Sequence, residues 1–104
     1  MADFTRRSKA LMTDAERMEL IDFLSAAPDA GVSLGRGLYK VRYARKNEGK
    51  SGGYRTIHYF RPDTGPLLLL TMFAKNEKAN LSAEELAMLI RLAELAAATY
   101  RRQQ

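Results

Sequence analysis

LYKVRYARKNEGKSGGYRTIHYF, residues 38–60, is the stretch on which the fold turns. Its first six residues alternate: Tyr39, Val41 and Tyr43 point one way, Lys40 and Arg42 the other. Successive side chains of a strand project to opposite faces, so this pattern predicts a half-buried β-strand. ARKNEGKSGG, with three glycines, reads as the loop of a hairpin. YRTIHYF then forms a second strand, with Arg55, Ile57 and Tyr59 on one face and Tyr54, Thr56, His58 and Phe60 on the other. RPDTGP is turn chemistry throughout. LLLLTMFA, residues 67–74, is apolar at both parities and predicts a strand buried on both faces, central in the sheet.

Helix signals flank this β-rich middle. In TDAE, Thr13 caps a helix start and Glu16 reaches back from three residues on, a capping box. Met18, Ile21 and Leu24/Ser25 follow at helical spacing, with Leu20 and Phe23 widening the face, until APDAG ends the helix at Pro28 and Gly31. The earlier FTRRSKALM suits either a short strand or a helical turn. Toward the C-terminus Ser82 and Glu85 form a second capping box, with Leu81 and Leu86 placed as a hydrophobic staple. Leu86, Leu89, Ile90, Ala93, Ala97 and Tyr100 recur at helical spacing, and Met88, Leu92 and Leu95 make a second apolar stripe. Such surplus is either wrapped by the sheet or left for a partner. The expected fold class is α+β: an antiparallel three- to four-stranded meander, with an N-terminal helix or helices and a C-terminal helix packed against one face.

Composition narrows the function. The 104 residues suit one domain, 1–104, with a single core. The longest apolar run falls well short of the roughly 20 residues that span a bilayer, and no secretory leader pattern is visible. The chain has no cysteine, which excludes disulfides and thiolate metal sites and fits a reducing compartment. With one histidine, a histidine-rich metal site and a His–His acid–base pair are excluded too. The net charge of +5 is concentrated: residues 36–61 hold 8 basic side chains against one acid, Glu48, while the flanking segments are balanced or slightly acidic. That segment is either a solvated basic face or a field for a polyanion, of which phosphate backbones are the commonest.

The strings GKSGGYRTIHYF and AKNEKANLS resemble, together, the RelE/HigB superfamily of bacterial toxins from toxin–antitoxin pairs, and most closely its HigB-like branch. The matching residues are Gly49, Lys50, Gly52, Gly53, Arg55, Tyr59 and Phe60, then Ala74 to Lys78 with Leu81 and Ser82. The resemblance implies a RelE/ParE-like fold and a cytoplasmic, ribosome-dependent endoribonuclease that cuts mRNA in the ribosomal A site without a cofactor. It implies a cognate antitoxin with a helix-turn-helix domain, and operator DNA bound through that antitoxin.

RNA cleavage by the 2′-hydroxyl needs a base, an acid and positive charge on the phosphorane. With so few histidines and acids, the chain must use lysine, arginine or tyrosine, or borrow groups from the ribosome or RNA. Lysine serves as a base only in its neutral form, which neighbouring cations favour. Lys40 and Arg42 lie about 6–7 Å apart by strand rise. By resemblance, Lys40 and Arg42 take the positions of base and phosphate contacts, and Arg55 that of the arginine gripping the phosphate with a planar guanidinium. Lys75 and Lys78 follow the last strand where relatives place an arginine, Lys78 as a catalytic candidate. Arg45, Lys46, Lys50 and Lys75 are candidate RNA contacts, and Tyr59 either meets RNA or packs in the core. In the RelE branch a tyrosine also follows the last strand; KNEKANLSAEE has none, so no general acid is assigned. His58, off the Arg55 face, reads as structural. The rival readings are a ParE-like gyrase poison of the same fold and a non-catalytic basic nucleic-acid-binding module.

Overall fold

A computed structural model describes residues 2–43, 53–63, 67–74 and 80–102. The order is α1 (Ala2–Leu11), α2 (Asp14–Ala26), β1 (Val32–Gly35), β2 (Leu38–Tyr43), β3 (Tyr54–Phe60), β4 (Leu67–Ala74) and α3 (Ala83–Arg102). The four strands form one antiparallel sheet in the order β1-β2-β3-β4. The α+β meander expected from the sequence is therefore present, with four strands.

FTRRSKALM resolves as helix. Phe4 and Ser8, four residues apart, are both buried, and the Tyr54 hydroxyl donates to the Leu11 carbonyl at 2.6 Å, satisfying one of the acceptors a helix end leaves open. At α2 the capping box forms as read: Glu16 N donates to Thr13 Oγ1 at 3.1 Å and Thr13 N to Glu16 Oε1 at 2.9 Å. The buried side of α2 is Leu20 and Leu24, each worth roughly 1.5–3 kcal/mol when fully buried. Met18 and Phe23, expected on that face, are exposed instead, and Phe23 rests on Tyr43 with ring centroids 6.0 Å apart.

A two-residue turn, Arg36-Gly37, joins β1 to β2. Both residues have positive φ, which suits the right-handed twist of a hairpin. At Gly37 a Cβ would also meet the Tyr59 ring at 2.9 Å, so glycine is required there twice over.

The helices pack on both faces, not one. On the first face, Phe4, Met12, Leu20 and Leu24 from α1 and α2 meet Val41, Tyr54 and Met72. On the second, Ala93 and Ala97 of α3 meet Leu38, Ile57, Tyr59, Leu70 and Phe73. Two apolar faces explain why LLLLTMFA lacks alternation. That run is nonetheless an edge strand, not a central one. Its outer rim is screened by α1, whose Arg7 Nε donates to the Met72 carbonyl at 2.5 Å. No described helix is long and apolar enough to cross a membrane.

His58 is fully buried on the first face. Its Nε2 lies 2.7 Å from the Pro28 carbonyl, and its ring stacks on Tyr39 at 5.4 Å. Burial holds its pKa below the ordinary histidine value, and the hydrogen bond to Pro28 offsets only part of that. The unfolded chain therefore takes up this proton first as pH falls. Stability from His58 is complete above the unfolded pKa of about 6.5 and declines as pH drops through it, levelling below the folded value. We expect the urea midpoint to fall from neutral to mildly acidic pH, and His58→Gln to flatten that slope. An equal slope in the variant would reassign the dependence to other groups.

Candidate functional site: a cationic end of the sheet

Register builds the site. In the β2–β3 ladder Arg42 lies directly opposite Arg55, and Lys40 opposite Ile57. Directly opposed residues share a face, so Lys40, Arg42 and Arg55 converge on the α3 side of the sheet. The next strand continues the rows, with Phe73 opposite Arg55 and Thr71 opposite Ile57. Along this face the sheet runs from apolar, where Leu38 and Tyr59 lie under Ala93 and Ala97, to cationic at Arg42 and Arg55.

Two like charges placed directly opposite each other destabilise a sheet. The cost is sharpened by position: Arg55 is half-buried, and its Nη1 is enclosed without a hydrogen-bond partner among the described residues. An enclosed, unsatisfied guanidinium nitrogen is unfavourable until an acceptor arrives, and an anionic oxygen is the strongest one available. Arg42 is exposed beside it. Lys40 Nζ donates to Asn80 Oδ1 at 2.7 Å, tying the middle of β2 to the segment that leads into α3. There Ser82 and Glu85 close the second capping box, at 2.9 and 3.1 Å.

Asn80 is the residue the sequence reading missed. Its one signal was its place two residues ahead of a capping box. Tyr59 takes the second of its two readings: at 2% exposure it packs with Leu38 and Ala97 and offers no face to a base. Arg45, Lys46, Lys50, Lys75 and Lys78 lie outside the described residues, as do Gly49 and Gly52. The described strand ends that border them in sequence, Tyr43, Tyr54 and Ala74, are at the cationic end of the sheet. β2 finishes at Tyr43 and β3 begins at Tyr54, paired with each other, and Tyr54 also pairs with Ala74, where β4 finishes. The histidine is on the opposite face.

A concavity of about 630 Å³ opens beside this patch, walled by α1 and α3 over Leu70, Thr71 and Phe73 of β4. The candidate site is an open cationic surface, the shape suited to a strand of nucleic acid.

A small α+β protein with a sheet cationic at one end is the class that these observations define. Residues 2–104 match the family described as RelE toxin of the RelE/RelB toxin–antitoxin system, and the chain belongs to that family. It is thus a toxin of a toxin–antitoxin pair, with a cognate antitoxin as its partner.

Proposed function

We propose that this toxin is a ribosome-dependent mRNA endoribonuclease that stops translation. The observation that carries the reading is the direct Arg42–Arg55 pair, with Lys40 two residues along β2 and one Arg55 nitrogen enclosed without a partner among the described residues. Arg55 grips the scissile phosphate, and Arg42 neutralises the charge that grows on the phosphorane. Lys40, already oriented by Asn80, contacts the phosphate or the 2′-oxygen. Lys78 is the further catalytic candidate, and Arg45, Lys46, Lys50 and Lys75 extend the grip along the RNA.

Proton transfer is the weaker half of this chemistry. The lone histidine is engaged with Pro28 on the far face, so an acid or base comes from the ribosome or from the RNA itself. That requirement makes cleavage depend on a translating ribosome and places the reaction in the cytoplasm. The cognate antitoxin, carrying a helix-turn-helix domain, would take the pair to operator DNA.

The test is induction in bacterial cells, with mRNA 5′ ends mapped while DNA supercoiling is followed. Cuts confined to translated regions and in phase with the reading frame are expected. DNA breaks that depend on gyrase would replace this reading with that of a gyrase poison. Growth without toxicity would leave a basic binding module.

A further inference from the structure

Among the described residues, nothing packs on the outer side of α3. Met88 is 61% exposed, Leu92 41% and Leu95 60%, while the core-facing Ala93 and Ala97 are almost fully buried on the opposite side of the same helix. Thr99 extends the row, since its hydroxyl donates back to the Leu95 carbonyl at 3.0 Å and its methyl is left for the surface. Residues 88, 92, 95 and 99 are spaced four, three and four apart, the seam of two helices packed side by side. Met88 and Leu92 also wall the large groove, whose floor is Leu70, Thr71 and Phe73.

Charge selects the occupant. The helix begins with Glu84 and Glu85 and ends with Arg101 and Arg102. Glu85 is engaged in its capping box, whereas Glu84 is exposed at the rim of the groove. An apolar seam with an acidic head and a basic tail is complementary to itself when turned end for end. By helical rise, Glu84 lies about 14 Å before the midpoint of Leu92 and Leu95, and Arg102 about 13 Å after it. On the helical wheel both fall on the same flank of the seam. A two-fold axis through that midpoint therefore sets Leu92 of one copy against Leu95 of the other, and Glu84 against Arg102 at both ends. The contact is isologous and closes on itself.

We propose that this seam is a homodimer interface: two copies of the toxin pair through antiparallel α3 helices, locked in register by reciprocal Glu84–Arg102 ion pairs. The cationic side chains are not part of the seam, because Arg42 and Arg55 lie on β2 and β3 while every seam residue is on the outer side of α3. With four seam residues a side, the interface is at the small end of the stable range, and a reversible dimer follows. This holds whether or not the toxin cuts RNA.

The test is sedimentation equilibrium of the full chain, free of antitoxin, across the micromolar range, with helicity followed by circular dichroism. A monomer–dimer equilibrium is expected. Leu92→Glu, at an exposed position, should keep its helicity and weaken association about 100-fold. Glu84→Arg should weaken it about tenfold, and adding Arg102→Glu in the same chain should restore it. A wild-type chain that stays monomeric overturns the proposal. So does Leu92→Glu that leaves association unchanged, or a double charge swap that fails to rescue. Loss of antitoxin binding by Leu92→Glu, with no dimer in the wild type, would assign the seam to the antitoxin instead.

Discussion

Arg55→Ala is expected to abolish toxicity and to lower mRNA cleavage by about 10²–10³-fold while leaving the fold intact. Removing one preorganised donor from a site that stabilises developing negative charge typically costs that much in rate. The same substitution removes a like-charge pair with Arg42 and an enclosed nitrogen that lacks a partner among the described residues. Against those gains stands the lost packing of the aliphatic stem. The net effect on stability should stay within about 1 kcal/mol. Activity and stability thus separate, which is the signature of a functional rather than a structural arginine. Arg55→Lys should recover little activity, because an ammonium cannot make the planar, two-pronged contact of a guanidinium. The measurements are growth after induction, 5′-end mapping of a reporter mRNA, and a urea melt. A folded Arg55→Ala protein that remains fully toxic would remove Arg55 from the site.

The largest stability loss is expected at Gly31→Ala. Gly31 sits between α2 and β1 with φ of +90°, a conformation that L side chains rarely adopt. A Cβ built there lies 2.2 Å from the Lys40 carbonyl oxygen and 2.7 Å from Val41 Cγ2. The obstacle is the backbone of β2, so no side-chain rotation relieves it. Dihedral strain and the forced shift of the strand together should cost about 2–4 kcal/mol, lowering the thermal midpoint by roughly 10 °C or more. Because the displaced carbonyl belongs to Lys40, residual folded protein should also be less toxic. A midpoint within a degree or two of wild type would mean that β1 and β2 separate at little cost.

Local rules wrote much of this architecture into the sequence. Both capping boxes form because each needs only four residues and no tertiary partner. β2 and β3 are legible from period-two alternation, and the loss of that alternation in LLLLTMFA correctly signals two covered faces. Whether such a strand is central is not local information. A strand between two others and an edge strand screened by a helix bury the same side chains, and α1 makes β4 the second kind. Two elements were faint. In α1 the inward position between Phe4 and Met12 is Ser8, whose hydroxyl donates to the Thr5 carbonyl and so enters the core as a satisfied polar group. β1 is only four residues long, and its Val32 faces solvent, so it carries little hydrophobic signal.

The site divides in the same way. Alternation puts Lys40 with Arg42 on one strand face, and Arg55 on one face of its own strand. Bringing the two strands' cations together is a matter of register, and a one-residue slip would have sent Arg55 to the other side. The ten residues ARKNEGKSGG, read from sequence as the hairpin connection, do not fix that register. Asn80's contact was not legible beyond its place ahead of a capping box, because its partner, Lys40, lies forty residues away.

The sheet's two rims are unequal. The β4 side is closed by α1 and by the Arg7 hydrogen bond, which leaves β1 as the open margin. That margin is four residues long, and its pairing with β2 shifts register between Ser33 and Gly35. Fibrillar polymerisation needs a long, even template at each growing end. This chain offers one brief and uneven landing, so stacking of sheet upon sheet is starved of a starting point even when the toxin accumulates.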